Sequence, residues 1–121
     1  MALILIVDDS PTEVHLMQRA LESCGYRTAV AVDGQEGVRL AREMHPDLIF
    51  MDIVMPGMNG YQATRTLVRD PGTSAIPIVM VSSKGQDTDR IWGLRQGAVD
   101  YIVKPVSAAQ LVEKAQSTLA A

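Results

Sequence analysis

A chain of 121 residues with a hydrophobic fraction of 47% has the size and apolar content of one globular domain, and residues 1–121 are expected to fold as a single unit. Its formal net charge of −3 offers no general attraction to nucleic acid or to anionic lipid, so neither is expected as a partner. Cys24 is the only cysteine, which excludes an intrachain disulfide and a thiolate metal cluster and leaves a small buried hydrophobe near a helix end as its simplest role.

In chain order, the first apolar run, Leu3 to Val7, has strand length and is far too short to cross a membrane. Asp8 and Asp9 follow it at once, and no basic segment or cleavage site marks it as a leader, so the cytoplasm is the expected location. Ser10-Pro11-Thr12-Glu13 then opens a helix with an N-cap serine, a proline at the first helical position and a glutamate at the third. Met17, Ala20, Leu21 and Cys24 form its apolar stripe, and Gly25 suits a left-handed stop. Thr28 to Val32 reads as a second strand, and Asp33-Gly34-Gln35-Glu36 repeats the capping pattern before a helix that His45-Pro46 ends.

Leu48 to Met51 is the third strand and leads straight into Asp52. Gly57 and Gly60 flank the loop that follows and are expected to serve tight turns, and Asp70-Pro71 closes a third helix. Ile78 to Val81 forms the fourth strand, ending in Ser82-Ser83. In the fourth helix Ile91, Leu94 and Ala98 share a face predicted to lie on the sheet, while Trp92, about 100° round from Ile91, belongs at the boundary or outside. Gly97 stops that helix, Tyr101 to Val103 is the fifth strand with Lys104-Pro105 at its end, and Ser107-Ala108-Ala109-Gln110 caps a last helix carrying Leu111, Val112, Ala115 and Leu119.

Five strands alternating with five helices imply a doubly wound, flavodoxin-like α/β fold with a parallel sheet covered on both faces. The runs at strands one, three and four are apolar nearly throughout, as doubly covered strands should be. Such folds bind ligands beyond the carboxyl ends of the strands, where Asp8-Asp9, Asp52, Ser82-Ser83 and Lys104 would share one edge. In a strand order 2-1-3-4-5, Asp52 would sit about 4.8 Å from its neighbouring strands, with Lys104 reaching over from roughly 10 Å away. Asp8 or Asp9 could instead cap the first helix, but Ser10 already fills that position; Asp52 taken alone would read as a solvated loop acid. Three carboxylates in one crevice call for a proton or a cation, and Mg²⁺ suits a site with few protein ligands plus water.

Val7-Asp8-Asp9-Ser10, Met51-Asp52-Ile53-Val54-Met55-Pro56-Gly57-Met58-Asn59-Gly60, Val81-Ser82-Ser83 and Lys104-Pro105, in that order, make the whole chain similar to the CheY-like response-regulator receiver domain. The 2-1-3-4-5 order is carried over from that family. More narrowly, Asp9-Ser10-Pro11-Thr12-Glu13, Gly60-Tyr61-Gln62-Ala63-Thr64-Arg65 and Trp92-Gly93-Leu94-Arg95-Gln96-Gly97-Ala98 resemble the twitching-motility regulators of type IV pilus chemosensory systems.

The resemblance implies that Asp52 accepts a phosphoryl group from the phosphohistidine of a sensor histidine kinase or phosphotransfer domain. It implies direct Mg²⁺ ligation by Asp9, Asp52 and the Val54 backbone carbonyl, with Asp8 acting through water, and Lys104 offsetting phosphoryl charge. Ser82 would bond the new phosphoryl group, Tyr101 would swing inward behind it, and the Lys104-Pro105 peptide would be cis. The fourth helix, fifth strand and fifth helix, with Trp92 and Tyr101, would form the face that meets a downstream protein partner. Val54 and Lys84 stand where the family's hydrolytic water approaches, and neither side chain can orient it, so slow self-dephosphorylation is expected. No catalysis beyond its own phosphotransfer and dephosphorylation is expected, and a monomer is.

Within the family, a general chemotaxis-type role and a phosphate sink stay open, as does a degenerate scaffold, although every acceptor position is filled. Outside it, a haloacid dehalogenase-type phosphatase would need its aspartyl nucleophile after the first strand and a second Asp at the position held by Val54. A flavodoxin-like cofactor binder would set an FMN phosphate against Asp8, Asp9 and Asp52.

Overall fold

The computed structural model describes residues 1–120. Strands β1 (Leu3–Val7), β2 (Arg27–Ala31), β3 (Leu48–Met51), β4 (Ile78–Ser82) and β5 (Asp100–Val103) alternate with helices α1 (Pro11–Glu22), α2 (Gly34–Met44), α3 (Gly60–Arg69), α4 (Asp87–Gln96) and α5 (Ala108–Ala120). The strands form one sheet in the order β2-β1-β3-β4-β5, every pair parallel. The doubly wound reading of the sequence is therefore correct, with strand ends shifted by a residue or so at β2, β4 and β5.

Two apolar clusters sandwich the sheet. Leu5, Val7, Ile49, Met51, Ile78 and Met80 face α2, α3 and α4, whereas Ile4, Ile6, Leu48, Phe50, Val79 and Val81 face α1 and α5. Residues alternate between the two clusters because side chains alternate across a strand, and both faces are covered, so β1, β3 and β4 carry scarcely any polar position. β2, at the edge, is only partly buried along most of its length.

The caps set where each helix starts relative to the strand end before it. Ser10, Asp33 and Asn59 each accept from the backbone N–H three residues on. Ser107 and Gln110 bond reciprocally at the start of α5, as their spacing predicts. Asn59 and Gln62 close a capping box at α3 that the sequence reading did not single out. His45 itself takes the left-handed C-cap of α2 at φ 47°, ahead of Pro46.

Three sequence expectations need correction. Cys24 is exposed, because α1 ends at Glu22 and Cys24 lies in the turn beyond it. Ile91 and Leu94 do not lie on the sheet: they are 51% and 37% exposed, and the buried residues of α4 are Gly93 and Gln96. Gly93 has no side chain, so α4 approaches Met80 and the Tyr101 ring closely, and a Cβ there would stand 2.8 Å from the Met80 sulfur. Finally, Gly60 has an ordinary φ; it is needed for close approach, since a Cβ would lie 2.0 Å from the Asp52 carbonyl oxygen, while Gly57 alone takes the turn conformation at φ 72°.

Gly60 therefore fixes how tightly α3 seats against the end of β3. Gly60→Ala is expected to destabilise the protein by about 1–3 kcal/mol, the usual range for overpacking against backbone. A lowered urea midpoint checks this, and an unchanged midpoint would show that the α3 start can shift freely.

Candidate functional site

The site is assembled by backbone pairing. Asp8 N donates to the Ala31 carbonyl at 3.0 Å, Asp52 N to the Val7 carbonyl at 2.9 Å and Lys104 N to the Ser82 carbonyl at 2.8 Å, so the sheet ladder continues one step past the strands and aligns their polar ends. One carboxylate oxygen from each of Asp8, Asp9 and Asp52 lies within 4.8 Å of the others. Asp8 and Asp52 are buried and Asp9 is exposed, which leaves the cluster open to solvent on one side.

Each buried carboxylate is held at both oxygens. Asp8 Oδ1 accepts from Ser10 N at 2.9 Å and Oδ2 from Lys104 Nζ at 3.0 Å. Asp52 Oδ1 accepts from Ile53 N at 2.8 Å, and its Oδ2 stands 3.6 Å from Lys104 Nζ. Burial and then the Asp8 charge push the Asp52 carboxyl up to about 6, against the opposing pull of Lys104 and the Ile53 N–H. Burial works against the Lys104 charge, but hydrogen bonds to Glu13 and Asp8 outweigh it and hold the ammonium above its ordinary value. The Lys104-Pro105 peptide is cis.

Glu13 is the residue that sequence reasoning missed. Its spacing from Ser10 suggests a capping box, yet Ser10 N is taken by Asp8, and the Glu13 carboxylate bonds Lys104 Nζ instead. The two residues lie 91 positions apart, beyond the reach of any local pattern.

Ser82 is fully buried, and its hydroxyl accepts from Lys84 N at 3.3 Å. Tyr101 is turned inward, 5% exposed, with its hydroxyl donating to the Lys84 carbonyl at 2.6 Å. Burial, followed by the neighbouring Tyr61, pushes the Tyr101 phenol up to about 12. Tyr61 in α3 donates to the Asp89 carbonyl at 3.2 Å, so a second tyrosine ties α3 to the first turn of α4. Trp92 is 46% exposed and Val54 is 60% exposed. Being buried, Tyr101 offers little surface of its own to a partner, whereas Trp92, Ile91, Leu94 and Val103 are open.

The donor set is all hard oxygen, clustered and under charge repulsion, which fits Mg²⁺ better than a soft metal. This fold, with acids on two adjacent strand ends and a lysine two strands away, has a counterpart among known proteins: residues 4–116 match the response regulator receiver domain, and the chain belongs to that family. Protein PilH of Pseudomonas aeruginosa is 52% identical to it over 120 residues, 99% of each chain. Among solved structures, chemotaxis protein CheY4 of Vibrio cholerae superposes with a TM-score of 0.92 at 28% identity over 98% of each chain. The receiver domain of the Pseudomonas aeruginosa sensor histidine kinase PA1611, solved with magnesium coordinated in its active-site cleft, also reaches 0.92, at 32% identity over 99% of this chain and 98% of that one. No helix among the described residues is long and apolar enough to cross a membrane.

The raised Asp52 value has a consequence for stability. The unfolded chain releases this proton near pH 3.8 and the folded chain only near 6, so stability falls as pH rises through that window and stays lower above it. Without metal, Asp52→Asn is therefore expected to stabilise the protein at pH 7.5 by about 1–2 kcal/mol, a partly screened share of the shift. The gain should vanish near pH 4. Thermal melts of the two proteins at both pH values check it, and a variant no more stable at pH 7.5 would contradict the origin given for the shift.

Proposed function

We propose that this receiver, residues 1–121 as one domain, takes a phosphoryl group from a phosphohistidine onto Asp52 and passes the signal on by protein contact. The observation that carries the proposal is the buried Asp52 carboxylate, 3.6 Å from Lys104 Nζ and clustered with Asp8 and Asp9. An Asp52 oxygen attacks phosphorus in line, the histidine nitrogen leaves, and an acyl phosphate results. Asp9, Asp52 and the Val54 carbonyl would hold Mg²⁺ directly and Asp8 through water; when bound, the cation supplies charge to offset the phosphoryl oxygens.

Lys104 supplies the matching positive charge from the protein. Ser82, whose oxygen accepts from Lys84 N, would donate its hydroxyl hydrogen to the phosphoryl group, and Tyr101 keeps the loop after β4 drawn in through the Lys84 carbonyl. The similarity to PilH supports a place in type IV pilus chemosensory signalling, in the cytoplasm, with a histidine kinase or phosphotransfer domain upstream. α4, β5 and α5 form the proposed output face, supported by the exposed Ile91, Trp92, Leu94 and Val103. The chain acts as a monomer and catalyses only its own phosphoryl transfer and loss.

With Mg²⁺ and a small phosphodonor, intact mass should rise by one phosphoryl group in the wild type, not at all in Asp52→Asn, and barely in Asp9→Ala. The fluorescence of Trp92 should change with that mass. Lys104→Ala should gain the mass without the fluorescence change; normal labelling of Asp52→Asn would falsify the acceptor assignment.

Val54 and Lys84 are both exposed, and neither carries a carboxylate or amide to orient a water attacking the acyl phosphate. The phosphorylated protein should therefore be long-lived, and the double substitution Val54→Asn, Lys84→Glu should shorten its half-life. A half-life equal to or longer than that of the wild type rules this explanation out.

A further inference from the structure

We propose that Glu13 is a positioning residue that holds Lys104 away from the phosphoryl position, so that its carboxylate competes with phosphorylated Asp52 for the lysine ammonium. The inference rests on Asp52 being the phosphoryl acceptor. An ammonium has three N–H donors. Asp8 takes one at 3.0 Å and Glu13 bonds another, while Asp52 at 3.6 Å is the most distant of the three carboxylates. In the unphosphorylated protein the lysine is thus committed mainly to residues other than the acceptor.

Glu13 can do this because its ordinary task has been taken over. A glutamate at the third position of a helix usually reaches back to the N-cap N–H. Here Ser10 N donates to Asp8 Oδ1, so the glutamate is free to turn across to β5. The result is a chain of bonds from Ser10 N through Asp8 and Lys104 to Glu13, closing α1 against the end of β5. Glu13 is outside the group of three carboxylates that would share a cation, yet its charge reaches Asp52 through the shared Lys104 ammonium. The lysine side chain is 14% exposed and that of Glu13 42% exposed, so the contact lies at the mouth of the site, where the ammonium can turn without entering the core.

On phosphorylation no covalent bond of Glu13 changes. The ammonium exchanges one hydrogen bond for another, from the Glu13 carboxylate to a phosphoryl oxygen, and Glu13 takes up water. Glu13 thereby slows phosphorylation and keeps the lysine from stabilising a partly occupied site.

The test combines two readouts. First, phosphorylation by acetyl phosphate with Mg²⁺ is timed by intact mass in the wild type, Glu13→Gln, Lys104→Ala and the double variant. Glu13→Gln should be faster than the wild type by roughly two- to fivefold, the worth of an ion pair with one half-exposed partner. The same substitution in the Lys104→Ala background should change nothing. Second, in metal-free protein labelled with ¹⁵N-lysine, the Lys104 ammonium signal should be visible in the wild type and shifted in Glu13→Gln, as the ammonium keeps Asp8 and turns toward Asp52. An equal gain in the Lys104→Ala background would assign the effect to net charge alone and overturn the proposal, as would an unchanged rate or an unchanged ammonium signal. A wild type that takes no phosphoryl group removes the acceptor assignment and this inference together, whereas normal wild-type labelling with equal rates removes only the role of Glu13.

Discussion

Parallel strands that end together bring their next residues together, and in this protein those residues are acids. Val7 and Met51 are paired across β1 and β3, so Asp8 and Asp52 must emerge side by side from a doubly covered sheet. Their mutual repulsion, added to burial, is what raises Asp52, and the lysine from the end of β5 is the protein's own countercharge. The remaining features of the site are ways of holding this unfavourable cluster in place: the Ile53 N–H on Asp52, the Ser10 N–H on Asp8, and the glycine at position 60 that lets α3 begin directly against the Asp52 backbone.

The same crevice connects to the surface through the loop between β4 and α4. Ser82 at the end of β4 accepts from the backbone of Lys84 in that loop, and Tyr101 from β5 and Tyr61 from α3 bond the backbone at Lys84 and Asp89. α4 rests on the sheet through Gly93 and on α3 through Gln96, whose Oε1 accepts from Arg65 Nε at 2.7 Å, with little apolar burial of its own. Such an element is weakly held, and small changes in its tethers can alter how it packs. Its Ile91, Trp92 and Leu94 are exposed on the outer side of that element.

Most of the architecture was legible because it rests on local rules. Apolar runs of strand length, each followed by a polar residue, located the five strands and the edge where the acids gather; capping residues located the helix starts. α4 was misread because periodicity identifies which residues share a face but not which face is buried, and a single glycine reversed the choice. Cys24 was misread because the helix stops before it. The spacing of Glu13 suggests a local bond to a residue three positions away; its actual partner, Lys104, is brought to it only by the fold. Long-range pairs of this kind leave no trace in spacing, and in this site they decide where the lysine points.

Asp52 is a buried carboxylate held from its ordinary ionisation by burial and by Asp8. The most direct measurement is the ¹³C titration of the Asp52 carboxyl in metal-free protein, repeated with Mg²⁺ present. The account expects a midpoint near 6 without metal and a marked fall when Mg²⁺ is added. A midpoint at the ordinary aspartate value, unmoved by the cation, would contradict it.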